Sequence, residues 1–431
     1  MSGRLHPTDA QAYWMSSKIP NDQFLLYCFD TSTAAVDVVD GLVSTARGVP
    51  ELDICFAAAF GYPRTVPMTV GPHHVISHTL PEGTWTGCLR AVADLFASPV
   101  DPLETPWLLH LFDSVSGAPR CIGPALVAVL QVSHALGDGR VASSLARQLF
   151  GERDFSAPLH NPRGRFRPVE FIRQSRRAQV LEGTLAADTA AGSIPPQSPG
   201  REKIRVNVAP AGETSIRTVV RDRTELSGPG VTVTVGAITA VSIALSNYLR
   251  RCGDPIPELL GAEVTLGKSG PRRARNHFRN AGIDLYPGII DPLERAKHIS
   301  AALRDRRARA DHPAMAAEAL ASEMVPAVLL RWGIRQFDPT VIPDTVTGNT
   351  VVSSVNRGSA DLTLGGGRVR FTAGFPALSP VMSLTHGVHG IGDVVTISVS
   401  SSASAVDDPD LYAGLVHDAV DEMADRLSRP V

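Results

Sequence analysis

Apolar positions along the chain alternate between two periods. The run Pro124–Val132 is continuous and rich in β-branched residues, which predicts a strand buried on both faces, and it stops just before His134. After Asp138-Gly139 the period changes. Val141, Ala142, Leu145, Ala146 and Leu149 recur at helical spacing as far as Gly151, a C-terminal stop signal. The same alternation precedes this segment. Asp22–Asp30 reads as a strand, Ala34–Ala46 as a helix with Val36, Val39 and Leu42 on one face, and Leu52–Phe60 as a second strand. Trp85–Ala97 places Leu89, Val92 and Phe96 at helical intervals, and Trp107–Val115 is strand-like again.

Pro168–Leu185 predicts a helix whose Arg173, Arg176 and Arg177 form a solvated face. Thr189–Glu213 is dominated by Ala, Gly, Pro and Ser and reads as a linker. The expected organisation is therefore an N-terminal half over 1–188, a linker over 189–213 and a C-terminal half over 214–431. In that second half Ser215–Arg221 and Leu259–Leu266 are strand-like, while Val235–Leu249 and Pro292–Ala310 are helical. Met324–Phe337 is apolar nearly all round. It reads as a buried helix in preference to one lying on a membrane interface through Trp332, Arg331 and Arg335. Val351–Val355, Val369–Phe371 and Asp393–Val399 are short strands, Gly365-Gly366-Gly367 is a turn, and Asp410–Leu427 closes as an amphipathic helix.

Composition narrows the function classes. With 431 residues, 43% apolar and 19% charged, the chain can bury a large core, and a net charge of −2 supplies no field to gather nucleic acid. Cys28, Cys55, Cys88, Cys121 and Cys252 are scattered, with no metal or redox spacing, and read as thiols of a reducing compartment. No signal-peptide pattern opens the sequence and no stretch reads as a membrane span, so the expectation is a cytoplasmic protein. The bias toward Arg over Lys is usual in high-GC bacteria.

Candidate chemistry centres on SHALGDG. His134 is delivered by a buried strand into a tight turn, with Asp138 one turn away. A histidine near neutral pKa is the usual general base. Asp138 either bonds the imidazole directly or pairs with an arginine elsewhere and locks the turn. From the residues alone, a structural and a catalytic His134 are equally good readings. No GxSxG elbow suggests a covalent acyl-enzyme. Two other groups are read as structural. His73, His74 and His78 have only Glu82 nearby, beyond Pro81, so no metal site is expected. Arg272, Arg273 and Arg275 suit a solvated loop better than a phosphate site.

The order of these segments resembles the wax ester synthase/diacylglycerol acyltransferase (WS/DGAT) family, within the HHxxxDG CoA-dependent acyltransferase superfamily. SHALGDG is similar to the HHxxxDG motif, PTDAQAYW to the family's amino-terminal signature, and Thr105-Pro106-Trp107 to its Pro-Leu-Trp segment. Asn276 resembles the Asn of a Gly-Asn pair, followed by DPLERAKHIS, and Ser353–Gly358 with LTLGGGRVRF resembles the Ser-Asn-Val-Pro-Gly segment and its downstream strands. The resemblance implies an α/β fold of two chloramphenicol acetyltransferase-like subdomains, mixed sheets with flanking helices, and a tunnel at their interface. It implies His134 as general base and Asp138 as the motif's structural acid. Ser133 and Gly139 are motif and turn positions, and Trp107, Asn276 and Ser354 are substrate-binding candidates. No metal or permanently bound cofactor is expected. Acyl-CoA is the expected co-substrate, or an acyl carrier protein in its place, and the acceptor is a hydroxyl-bearing lipid or small molecule. Peripheral contact with a membrane or lipid droplet belongs to the same expectation. Long-chain alcohol or diacylglycerol is the default acceptor; a natural-product acceptor, or a non-catalytic lipid- or partner-binding role, is the alternative. The sequence departs from the family at Ser133, at Thr234-Val235 in place of Asn-Asp, at Arg275 in place of Gly, and at Ser354 in place of Asn.

Overall fold

The computed structural model describes residues 3–151 and 168–429. Two six-stranded sheets organise it. The first runs in the order Thr363–Leu364, Gly367–Phe375, Gln23–Phe29, Ala125–Val132, Trp107–Val115, Val75–His78. The second runs Phe278–Asp284, Gly261–Gly267, Thr350–Asn356, Leu384–Ile391, Val394–Ser402, Thr214–Asp222. Both mix parallel and antiparallel pairs, with helices against them. The fold is thus mixed α/β, in two parts with related architecture.

Ala125–Val132 is buried at every position, as its unbroken apolar run requires. It pairs antiparallel with Gln23–Phe29 on one side and Trp107–Val115 on the other. Apolar residues on the two faces of this sheet feed two cores, one around Leu130, Trp107 and Leu145 and one around Phe24, Val127 and Val129. The core of the second half surrounds the helix Val233–Arg251. This helix is long and apolar enough to cross a membrane, but most of it is buried inside the protein.

The division at the linker is not respected by the sheets. Gly367–Phe375, from the second half of the sequence, pairs antiparallel with Gln23–Phe29 and so belongs to the first sheet. The expected linker is also partly tied down. The helix before it continues to Ala190, and Arg201–Glu202 pairs with Thr345–Val346. Arg201 is fully buried, donating to Asp284 at 2.6 Å and to the Thr347 carbonyl at 2.7 Å.

Two expectations are corrected and one unanticipated strand appears. The strand expected over Leu52–Phe60 shrinks to Ile54–Ala57, paired with Arg64–Pro67 in a separate two-stranded sheet. A strand appears at Phe278–Asp284, where Arg279, Asn280 and Gly282 hide any apolar alternation; its position at the sheet edge tolerates that composition. The helix expected to be buried over Met324–Phe337 is a surface helix, Ala327–Gln336. Only Ile334 is buried, whereas Val328, Leu329 and Trp332 are more than half exposed. Apolarity around the whole circumference suggested burial, but the helix meets the protein along one line, chiefly against Pro7–Met15.

Candidate active site

His134 leaves the end of the Ala125–Val132 strand and meets the second half of the chain at Asn276. The Asn276 side-chain nitrogen donates to the His134 carbonyl at 2.8 Å and to Asp9 at 3.0 Å, so its oxygen is the acceptor for His134 Nδ1 at 3.2 Å. That network assigns the imidazole proton to Nδ1 and leaves the Nε2 lone pair free. Among the described residues Nε2 has no hydrogen-bond partner. Burial pushes the His134 pKa down, opposed by the bond from Asn276 and by the charges of Asp138 and Asp22. The imidazole is therefore held neutral, as a general base must be.

Among the described residues Asp138 makes no hydrogen bond to the imidazole and acts on it through its charge alone. Its Oδ1 accepts from the backbone N–H groups of Arg140 and Val141, capping the helix Gly139–Phe150. Its Oδ2 accepts from the His277 N–H at 2.9 Å and pairs with Arg272 at 3.1 Å. The second of the two roles open from the sequence is the one observed: an arginine from the other half locks the turn. Gly137, with φ +147°, takes the conformation reserved for glycine, and a Cβ there would meet Val141 at 2.6 Å. Gly139 instead permits close approach, since a Cβ would stand 3.3 Å from Val355. Ser133 is buried, with its hydroxyl accepting from the Ala135 N–H at 3.2 Å.

The sequence missed Asp9 as a site residue, although it lies in PTDAQAYW. It is buried in the first helix and accepts from the backbone of Arg275 and from the backbone and side chain of Asn276. Burial raises its pKa against those bonds. The basic loop is only partly solvated, Arg273 being exposed, and each of its three arginines has a partner within the protein. Arg272 is spent on Asp138, Arg273 pairs with Glu323 at 3.1 Å, and Arg275 donates to the Leu136 carbonyl.

A cavity of about 370 Å³ opens before His134, walled by Asp22, Phe24 and Gly139 from the first half and by Glu263, His277, Asn280, Ser353, Ser354 and Val355 from the second. Asn280 also stands in the wall of a larger cavity, about 800 Å³, along the outer edge of the Phe278–Asp284 strand. Of the substrate-binding candidates, Ser354 lines the first cavity and bonds Thr234 at 2.9 Å, while Asn276 acts on His134. Trp107 is elsewhere, fully buried in the first-half core with its indole N–H on the Leu52 carbonyl. Of the histidines of the GPHHVISH segment, His78 has a structural place. His78, His110, Gln131 and Asp22 form one hydrogen-bonded chain through the first sheet. Among the described residues none of them belongs to a metal-binding cluster.

Residues 276–424 match the family model of the WS/DGAT C-terminal domain. No curated protein matches the sequence. A wax ester synthase/diacylglycerol acyltransferase from Marinobacter aquaeolei has a similar structure, with TM-score 0.63 and 17% identity over 97% of this chain and 98% of that one. A starter condensation domain of rhizomide synthetase in complex with C8-CoA is similar at TM-score 0.59 and 12% identity, over 100% of this chain and 95% of that one. A trichothecene 15-O-acetyltransferase from Fusarium sporotrichioides is similar at TM-score 0.59 and 11% identity, over 98% and 95% respectively. The WS/DGAT resemblance is borne out in sequence over the C-terminal third and in fold over nearly the whole chain. The fold is that of two-subdomain condensation and acyltransferase proteins.

Proposed function

We propose that the protein is an O-acyltransferase that moves an acyl group from acyl-CoA to a hydroxyl acceptor, with His134 as general base. The observation that carries this reading is the Nδ1 contact with Asn276, which leaves the opposite ring nitrogen unprotonated beside the cavity. Nε2 takes the acceptor's hydroxyl proton as its oxygen bonds the thioester carbonyl carbon. The tetrahedral intermediate collapses with cleavage of the C–S bond, and the imidazolium returns the proton to the departing thiolate. No acyl-enzyme forms. General-base assistance of this kind contributes roughly 10²–10⁴-fold.

The resemblance supports a long-chain alcohol or diacylglycerol as acceptor, and the C8-CoA complex of a similarly folded domain supports a CoA thioester as donor. A carrier-protein thioester is the alternative donor. The exposed Val328, Leu329 and Trp332, with Arg331 and Arg335 on the same helix, favour peripheral contact with an anionic lipid surface. Co-sedimentation with phosphatidylglycerol vesicles, lost in Trp332→Glu, tests that placement.

The central test incubates purified protein and His134→Ala with acyl-CoAs and a panel of alcohols, following thiol release and ester mass. Full turnover by His134→Ala removes the general-base assignment. Turnover only with an acyl carrier protein replaces the donor, and lipid binding without turnover replaces catalysis with a binding role.

A further inference from the structure

We infer that Glu263 is the recognition group for the acceptor, and that this acceptor carries a second hydrogen-bond donor, a hydroxyl or an ammonium, near the hydroxyl that is acylated. The inference rests on the acyl-transfer reading above and replaces its default acceptors, since neither a long-chain alcohol nor diacylglycerol carries a second donor.

Glu263 lies within the Gly261–Gly267 strand. Ala262, Val264 and Leu266 turn into the second-half core, while Glu263, Thr265 and Gly267 face the cavity that His134 also lines. The neighbours paired with Glu263 are Val351 on one side and Gly282 on the other, neither of which offers a charge. Among the described residues its carboxyl makes one hydrogen bond, with Asn280, whose side-chain nitrogen donates to Oε1 at 2.6 Å. Among the described residues no cation pairs with it.

A half-buried carboxyl without a counter-charge is costly, because desolvation disfavours its charged form, and burial accordingly raises its pKa. An apolar residue would fill this wall at lower cost. Retaining a carboxyl here is explained if a ligand supplies the missing donor. A plain alkyl alcohol would instead bury Glu263 further with nothing beyond Asn280 to satisfy its charge, and sites built around a hydrogen bond discriminate strongly against ligands that lack the partner. The surrounding wall agrees, since Thr265, His277 and Ser353 line the same space. Asn280 extends the polar path into the larger cavity, where Gln197 and Ser198 continue it.

The test uses full-length protein, octanoyl-CoA and three acceptors on one carbon skeleton: 1-hexanol, 1,2-hexanediol and 2-amino-1-hexanol. Ester formation is read by mass spectrometry. The expected result is a kcat/KM at least about tenfold higher for the diol or the amino alcohol than for 1-hexanol, with the ratio collapsing toward unity in Glu263→Leu. Glu263→Gln, which keeps the shape and some hydrogen bonding, should retain the diol preference and lose any amino-alcohol preference, which separates hydroxyl from ammonium. Equal ratios in wild type and Glu263→Leu overturn the inference. Calorimetric titration of the same acceptors keeps the two levels apart. If wild type releases no thiol with any acceptor, the acyl-transfer reading fails. Glu263 is then judged on binding alone: tighter binding of the diol or amino alcohol that Glu263→Leu abolishes upholds its role, and equal binding refutes it.

Discussion

Asn276, from the second half of the chain, holds the imidazole of His134, from the first, with 3.2 Å between Oδ1 and Nδ1. The two residues are 142 positions apart in sequence, so the tautomer of the proposed base depends on how the halves are joined. Asn276→Leu should leave both tautomers accessible and lower kcat on the order of ten- to a hundredfold, with little change in KM. Steady-state kinetics beside a far-UV circular dichroism control check this. An unchanged kcat in a folded variant removes Asn276 from the positioning role.

The pH profile should carry the same signature. Burial holds the His134 pKa below the ordinary imidazole value near 6.5, so it is neutral above that pH and kcat/KM should rise to a plateau there. The acid limb is expected below 6.5. Because the bond from Asn276 acts to raise this pKa, Asn276→Leu should move the limb to still lower pH. A limb above 7 in wild type contradicts the assignment.

Asp138 joins a helix cap to an ion pair with Arg272 across the two halves. Asp138→Ala removes both and leaves a partly buried guanidinium without its partner. The cost should be about 3 kcal/mol or more in unfolding free energy, measured by urea titration. A loss of activity without any loss of stability would mean that Asp138 acts on the reaction directly.

Three buried histidines should make the fold acid-sensitive. His110 is held down to about 4 and His386 to about 3, and His389 is also well below the ordinary value; desolvation is the main cause for each. In the unfolded chain each takes up a proton near 6.5. The unfolded state therefore binds more protons below that pH, and stability falls as pH drops from about 6.5 toward 4. A single such histidine contributes a slope of up to about 1.4 kcal/mol per pH unit. Asp9 and Asp22, whose pKa values burial raises, act in the opposite sense. The contribution of one histidine is isolated by comparing wild type with His386→Gln, whose stability should depend less steeply on pH between 6 and 4.5.

Thr234 and Ser354 depart from the family pattern, and they bond each other at 2.9 Å beside the cavity. A double-mutant cycle with Thr234→Val and Ser354→Ala should show coupling of roughly 0.5–1.5 kcal/mol in stability. Additive effects would mean that the two changes are independent.

How much of this was legible in the sequence follows from the range of the interactions. Ala125–Val132 and Gly139–Phe150 could be read because burial and helical period are local patterns, and Asp138 is the helix cap such a pattern needs. Leu384–Ile391 escaped, since His386, Gly387, His389 and Gly390 interrupt its apolar run. Gly387 is required by packing against the Gly374 carbonyl, which would lie 2.2 Å from a Cβ. His134 and Asn276 were both named, but their contact, and Asp9 beneath it, depend on tertiary pairing that no local spacing encodes. The surface helix Ala327–Gln336 was misplaced for a related reason: periodicity reports which residues are apolar, not whether anything covers them.

Gly367–Phe375, the strand lent by the second half to the first sheet, makes the protein indivisible. Cut at the linker, residues 1–188 would lose the partner of Gln23–Phe29 and expose an apolar ladder ready to pair with any other chain. Recombination could not exchange one half for a relative's without also matching this strand. New acceptor specificity must therefore arise by substitution within the cavity walls, one side chain at a time.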